Sequence, residues 1–138
     1  MPEVQDWNRS IIDEFHANAG RVGGRFEKQP LLLLTHTGAK TGRERTNPLA
    51  YLPDGDRYVV FASKGGAPSN PDWYHNLRAH PTASIEVGTE TCEVEAEVAS
   101  GEERERLWKE QVRRNPAFGD YESKTGRTIP VIILRRKT

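Results

Sequence analysis

Two short glycine-bearing loops hold the residues with the clearest chemical purpose. The first reads Gly38-Ala39-Lys40-Thr41-Gly42-Arg43-Glu44-Arg45. Its glycines let the backbone turn tightly and approach a ligand. Lys40, Arg43 and Arg45 add fixed positive charge, and exposed amides in such a turn form a concave anion site. This is the chemistry of a phosphate cradle. The order is not that of the nucleotide-binding loop, which closes on Gly-Lys-Ser/Thr, because here Lys40 precedes Gly42. A plain basic hairpin accounts for the same residues. The second loop, Ala62-Ser63-Lys64-Gly65-Gly66-Ala67, runs into Asn70-Pro71-Asp72-Trp73-Tyr74. It offers Lys64, two glycines, the start of a helix and two aromatics. A helix N-terminus favours anions. Trp73 suits either stacking on a planar ring or packing into a core. Each loop leaves a strand, so the two could converge on one anionic ligand.

Charge segregation supports that reading. The 138 residues carry 20 Lys plus Arg and 20 Asp plus Glu, which disfavours a globally cationic nucleic-acid binder. Residues 21–46, however, hold six basic side chains against two acidic ones, a local +4. Residues 86–105 hold eight glutamates against Arg104, a local −7, and residues 106–138 have a local +6. Local charge steers an anionic ligand even in a neutral protein.

Other chemistry finds little support. The four histidines, His16, His36, His75 and His80, lack metal-ligand spacing. Ser63 and Ser69 lack the nucleophile-elbow pattern. The single cysteine, Cys92, excludes an intramolecular disulfide, and mid-strand it has nothing to lower its pKa. Glu93, Glu95 and Glu97 read as one solvated sheet face. The longest apolar run is Leu31-Leu32-Leu33-Leu34, far short of the roughly 18 residues of a membrane span. The acidic, polar start is unlike a secretion signal.

The elements that must hold the loops follow from periodicity and punctuation. Trp7, Ile11, Phe15 and Ala19 recur every fourth residue and predict a helix over 4–19 closed by Gly20. Pro30 opens a strand over 31–37 whose leucines predict burial on both faces. Residues 38–45 form a loop, and strand character resumes over 48–52. Pro53-Asp54-Gly55-Asp56 is a turn before a strand over 57–63. Asn70 caps a helix over 72–79, with Pro71 at its first position and His80-Pro81 stopping it. Strands follow over 83–87 and 91–99, the latter with Cys92, Val94, Ala96 and Val98 inward. Ser100 and Glu103 make a capping box for a helix to Arg114. A helical turn over 117–124 and a strand over 129–135 complete the chain. Three consecutive strands joined by short connections imply antiparallel pairing. The expected class is α+β, mainly antiparallel β: a small barrel with helices over its openings. One domain spans 1–138.

At the two loops the sequence resembles the deazaflavin-dependent nitroreductase and quinone reductase family, split β-barrels of about six strands that use reduced coenzyme F420. The matching stretches are residues 31–35 through 42–49, 62–67, 70–77 and 128–131, and the likeness covers about residues 10–135. The resemblance implies that Lys40, Arg45 and Lys64 hold the phosphodiester and acidic tail of F420, with Thr41 and Gly42 shaping the loop. It implies that Pro48, Ala62, Ser63 and Trp73 border the deazaflavin ring, with Asn76 on the same helix. Tyr121, with Ala50 and Phe118, would line the substrate pocket. Family members with well-developed nitroimidazole reduction carry tyrosine in place of Phe118 and aromatics in place of Ala50 and Asn115.

The implied activity is hydride transfer from reduced F420 to a quinone or nitroaromatic acceptor. The cofactor carries the chemistry and the protein supplies proximity. Ser63 or pocket amides would stabilise charge developing on the acceptor, and Tyr121 or water would supply a proton. An FMN-binding split-barrel flavoprotein and a non-catalytic F420 carrier are the alternatives. Nucleic-acid binding ranks last, because the exposed face of strand 91–99 is acidic. A cytoplasmic monomer or homodimer is expected. Trp7, Ile11 and Phe15 dock on the barrel, or else touch a membrane surface peripherally.

Overall fold

Leu31, Leu32, Leu33 and Leu34 are all buried, and they serve two different cores. They lie in β1 (Leu31–Thr37), where successive side chains point to opposite faces. Leu32 and Leu34 join the cluster enclosed by the sheet, whereas Leu31 and Leu33 pack against Ile11, Ile12 and Phe15 of α1 (Asp6–Ala17). The computed structural model describes residues 6–18, 20, 30–62, 71–116, 118–120, 123 and 128–137, with side chains from residue 9 onward.

The remaining elements are β2 (Glu44–Ala50), β3 (Leu52–Asp54), β4 (Arg57–Phe61), α2 (Asp72–Ala79), β5 (Thr82–Val87), β6 (Glu90–Val98), α3 (Gly101–Arg114) and β7 (Val131–Arg136). Seven strands form one sheet in the order β2-β1-β5-β6-β7-β4-β3, with every pairing antiparallel. The edge strands β2 and β3 are consecutive in the chain and separated only by Tyr51. A one-residue joint brings the two edges side by side, so the sheet must curl into a barrel. No ladder joins β2 to β3. Pro48 on one edge and Pro53 on the other each remove an N–H, as edge strands tolerate. The result is a barrel split along one seam.

Helix α2 supplies Trp73, Tyr74 and Leu77 to the interior, where they meet Leu32, Leu34, Val60, Ile85, Val94 and Leu134. A second cluster lies on the other face of β4 and β7, where Val59, Phe61, Val131 and Ile133 pack beneath Leu107 and Trp108 of α3. Asp54 ties α3 to the β3–β4 turn, accepting hydrogen bonds from Arg57 and Arg106. Those bonds, Arg106's first, hold its carboxyl below the usual carboxylate range.

Several boundaries depart from the expected ones. β2 begins at Glu44, four residues before the expected start, because Glu44 to Asn47 pair with Asn-poor β1 from Thr37 back to Leu34. The expected strand 48–52 is thus divided at Tyr51, which raises the count from six strands to seven. Strand β4 ends at Phe61 and β7 starts at Val131. Pro71, expected as the first residue of α2, is its N-cap, and Asn70 lies outside the described residues. Ser100 is the N-cap of α3 but makes no side-chain cap bond. The expected capping box does not form, because Glu103 instead accepts from Arg57 at 3.3 Å. Val98 is 45% exposed, not inward, although it still pairs with Ile132; the buried neighbour, Ala99, belongs to the opposite face beneath α3. No described helix is long and apolar enough to cross a membrane.

Gly20 closes α1 as expected, with φ +95° and its N–H donating to Phe15 O at 2.8 Å. A Cβ there would fall 2.7 Å from the Gly88 Cα in the β5–β6 turn. Gly20→Ala therefore combines left-handed strain with a backbone clash. It is expected to destabilise the domain by about 2–3 kcal/mol, measured by urea denaturation.

Candidate functional site

The first basic loop is a closed ring of hydrogen bonds. Gly38 N–H donates to Arg43 O at 2.8 Å, and Gly42 N–H donates back to Gly38 O at 3.0 Å. Arg43 N–H donates to Thr41 Oγ1 at 3.2 Å. Gly42 adopts φ +70°, the left-handed region that glycine enters freely. Gly38 is buried, and a Cβ there would meet Thr41 Oγ1 at 2.6 Å. The tip of the ring, Ala39 to Arg43, is exposed. Lys40 is therefore presented to solvent on a backbone whose shape is already fixed.

A buried polar relay fastens this ring to the barrel. Ala39 N–H donates to Asn76 Oδ1 at 2.8 Å. With Oδ1 so engaged, the Asn76 amide turns Nδ2 toward His36 Nδ1 at 3.0 Å. Nδ1 must then accept, so the proton sits on Nε2, which donates to Asn47 Oδ1 at 2.7 Å. His36 is 2% exposed. Burial is the largest influence on it and lowers its pKa below the usual 6.5, opposed by the Asn47 bond. His36 is thus a neutral ring with one defined tautomer. Asn76 is buried as well and spends both ends of its amide within the protein.

The register of β1 and β2 sorts the neighbouring side chains. Directly opposed residues share a face. Arg45 faces the same side as His36, Asn47 the same side as Leu34, and Leu49 the same side as Leu32. Arg45 reaches the first turn of α2, with Nη1 at 3.5 Å from Asp72 Oδ2, and its side chain is 39% exposed. Pro48 and Ala50 oppose Leu33 and Leu31 and share the face on which α1 packs.

Of the residues singled out in the sequence, the fold brings Lys40, Thr41, Gly42, Arg45 and Asn76 to one end of the barrel. It separates Pro48 and Ala50 from them by the thickness of β2. Ala62 is fully buried and Trp73 is 5% exposed, both in the interior cluster. Trp73 thus packs as core. Phe118, 7% exposed, packs edge-to-face on Phe61 at 5.7 Å between ring centroids. Ser63, Lys64 and Tyr121 lie outside the described residues. Sequence reasoning missed His36 and Asn47. A signal existed: His36 is in phase with Leu32 and Leu34, so a polar ring was due to enter an apolar core, where it needs partners.

Comparison with known proteins bears on what this arrangement serves. The family model described as F420H(2)-dependent quinone reductase matches residues 7–136. An F420H(2)-dependent quinone reductase of Mycobacterium tuberculosis is 43% identical over 128 residues, covering 89% of this chain and 85% of that protein. A solved structure of an F420-H2 dependent reductase (FDR-A) superposes with TM-score 0.71 at 42% identity, over 77% of this chain and 94% of that one. Another, described as a domain-swapped dimer, gives TM-score 0.73 at 37% identity over 94% of this chain and 98% of that one.

Proposed function

The chain belongs to the F420H(2)-dependent quinone reductase family, and from that premise we propose that it reduces a quinone with hydride from reduced coenzyme F420. The observation that carries the reading is the Lys40 ring: a preformed, glycine-built loop with Arg45 beside it, at the barrel end closed by α2. That donor set fits a cofactor with a phosphodiester and an acidic tail. Fixed cations and a left-handed glycine suit several negative oxygens, more than the single phosphate of FMN needs.

When bound, reduced F420 supplies the hydride. The chain's own residues do the rest. Lys40, Arg45 and Lys64 hold the anionic tail, and Thr41 and Gly42 keep the loop in shape. Ala62, Ser63 and Trp73 would border the ring, whereas Pro48 lies across β2 from the Lys40 end. Ser63 stabilises negative charge developing on the acceptor oxygen, and Tyr121 donates the proton that completes reduction. Phe118 would keep that acceptor side apolar, which suits a quinone better than a nitro group that needs a hydroxyl partner; Ala50 faces α1 instead. Likeness to a domain-swapped dimer supports a homodimer, and sedimentation velocity tests it. We place the protein in the cytoplasm.

The test is titration with F420 followed by ligand fluorescence, then oxidation of F420H2 by a soluble benzoquinone. F420 is expected to bind in preference to FMN, and the quinone to drive F420H2 consumption. Lys40→Ala is expected to weaken F420 binding about tenfold, the loss of one charge-assisted contact. Preference for FMN would overturn the cofactor assignment. Tight F420 binding with no quinone-dependent oxidation would leave a carrier.

A further inference from the structure

We propose that His36 and Asn76 are positioning residues that latch the Lys40 ring in its anion-binding shape, and that the latch closes only while His36 is neutral. The proposal rests on the functional reading above for what the ring binds, and on hydrogen-bond arithmetic for how it is held.

Asn76 has one acceptor end and one donor end, and both are committed. Oδ1 takes the Ala39 N–H and Nδ2 gives to His36 Nδ1. A proton on Nδ1 would set donor against donor. Flipping the Asn76 amide would satisfy the imidazolium but would turn Nδ2 toward the Ala39 N–H, again donor against donor. Neither orientation serves both partners, so charging His36 frees Ala39. Asn47 cannot relieve the conflict, because its Oδ1 already accepts from the other ring nitrogen. All three side chains lie at the inner end of the barrel, where an unpaired polar group is costly.

Among the described residues, two charged groups act on His36. Arg45 on β2 disfavours its protonation and Asp72 on α2 favours it. They are paired with each other at 3.5 Å, so their effects oppose. The same Arg45 stands beside the proposed tail site. An anion drawn to Arg45 weakens its influence on His36, which couples ligand charge to the latch.

The sign follows from linkage. With the ring latched, a proton on His36 sets donor against donor, so His36 protonates less readily than with the ring open. The open form therefore takes up the proton first as pH falls. Latching is full while His36 is neutral and weakens as pH falls and the open form takes up a proton.

The experiment is amide hydrogen exchange of the ligand-free chain between pH 5 and 8, corrected for intrinsic rates, reading Ala39 against amides of β1. The Ala39 protection factor is expected to fall toward the acid end of that range while β1 stays level. Asn76→Leu should abolish Ala39 protection at every pH and weaken F420 binding about tenfold. Asn76→Asp should invert the profile, because a carboxylate accepts from both Ala39 N–H and a charged His36, so protection rises as pH falls. A generic packing role for Asn76 would not invert it. Flat Ala39 protection in the unsubstituted chain overturns the latch, whether or not the variants fold. Absence of F420 binding to the unsubstituted chain overturns the functional reading and leaves the exchange result to decide the latch.

Discussion

Trp108→Ala is expected to cost about 3–5 kcal/mol, a large share of the 5–15 kcal/mol that a domain of this size commands. Trp108 is 7% exposed in the cluster beneath α3. Its ring meets Phe61 edge-to-face at 5.9 Å and Phe118 at 6.4 Å. The Arg104 guanidinium lies 5.0 Å over it and donates to Ile129 O at 2.7 Å. Truncation opens a cavity between two aromatics and removes the surface on which a buried cation rests. Trp108→Phe should recover most of the loss. Urea unfolding is the measurement, with an unchanged slope and a lowered midpoint expected. A change under 1 kcal/mol would mean that α3 is held by its ion pairs to Asp54 and Arg57, not by this cluster.

Phe15→Ala should produce an effect of similar local size and different kind. Phe15 is fully buried, and α1 touches the barrel through a small apolar patch of Ile11, Ile12 and Phe15 on Leu31 and Leu33. The accompanying His16 to Glu86 pair, at 2.6 Å, is largely exposed and contributes little. A 12-residue helix is marginal in isolation. Removing about 3–5 kcal/mol of packing exceeds what such a patch supplies, so α1 should come off and unfold while the barrel stays folded. Hydrogen exchange over residues 11–17 should rise by orders of magnitude, with a smaller shift in global midpoint than for Trp108→Ala. Retained protection of α1 would show that a different contact holds it.

Much of this architecture is legible along the chain, for identifiable reasons. β1 and α2 match expectation to the residue, since Pro30 before four leucines and His80-Pro81 after a helical stretch are local signals. Fold class followed from the order of elements and their short connections, and the cofactor family from the resemblance that the two loops carry. The start of β2 did not. Glu44-Arg45-Thr46-Asn47 is polar, and only its pairing with β1 makes it a strand. The capping box failed for the same kind of reason: Glu103 had a better partner, Arg57, 46 residues away. Asn76 was singled out on the helix, but its hydrogen bonds could not be read, because the relay through His36 closes over a separation of 40 residues. Local patterns reveal elements; polar networks that span the fold leave no periodic trace.

The position of β7 has a consequence for how the molecule comes into being. It is the last strand in chain order, yet it lies between β6 and β4, inside the sheet. Phe61 must wait for Val131, seventy residues downstream, before its strand gains that neighbour. On a ribosome the earlier six strands therefore emerge with an unfilled slot, and Val60 and Val94 lack the Ile132 and Leu134 that complete their core. Such pairings between distant segments form slowly. The nascent chain passes through a stage with two bare strand edges lined by Val and Phe, the state most open to association with other chains. Completion of the barrel thus waits on residues 131–136, and anything that delays or alters them acts on the whole fold at once.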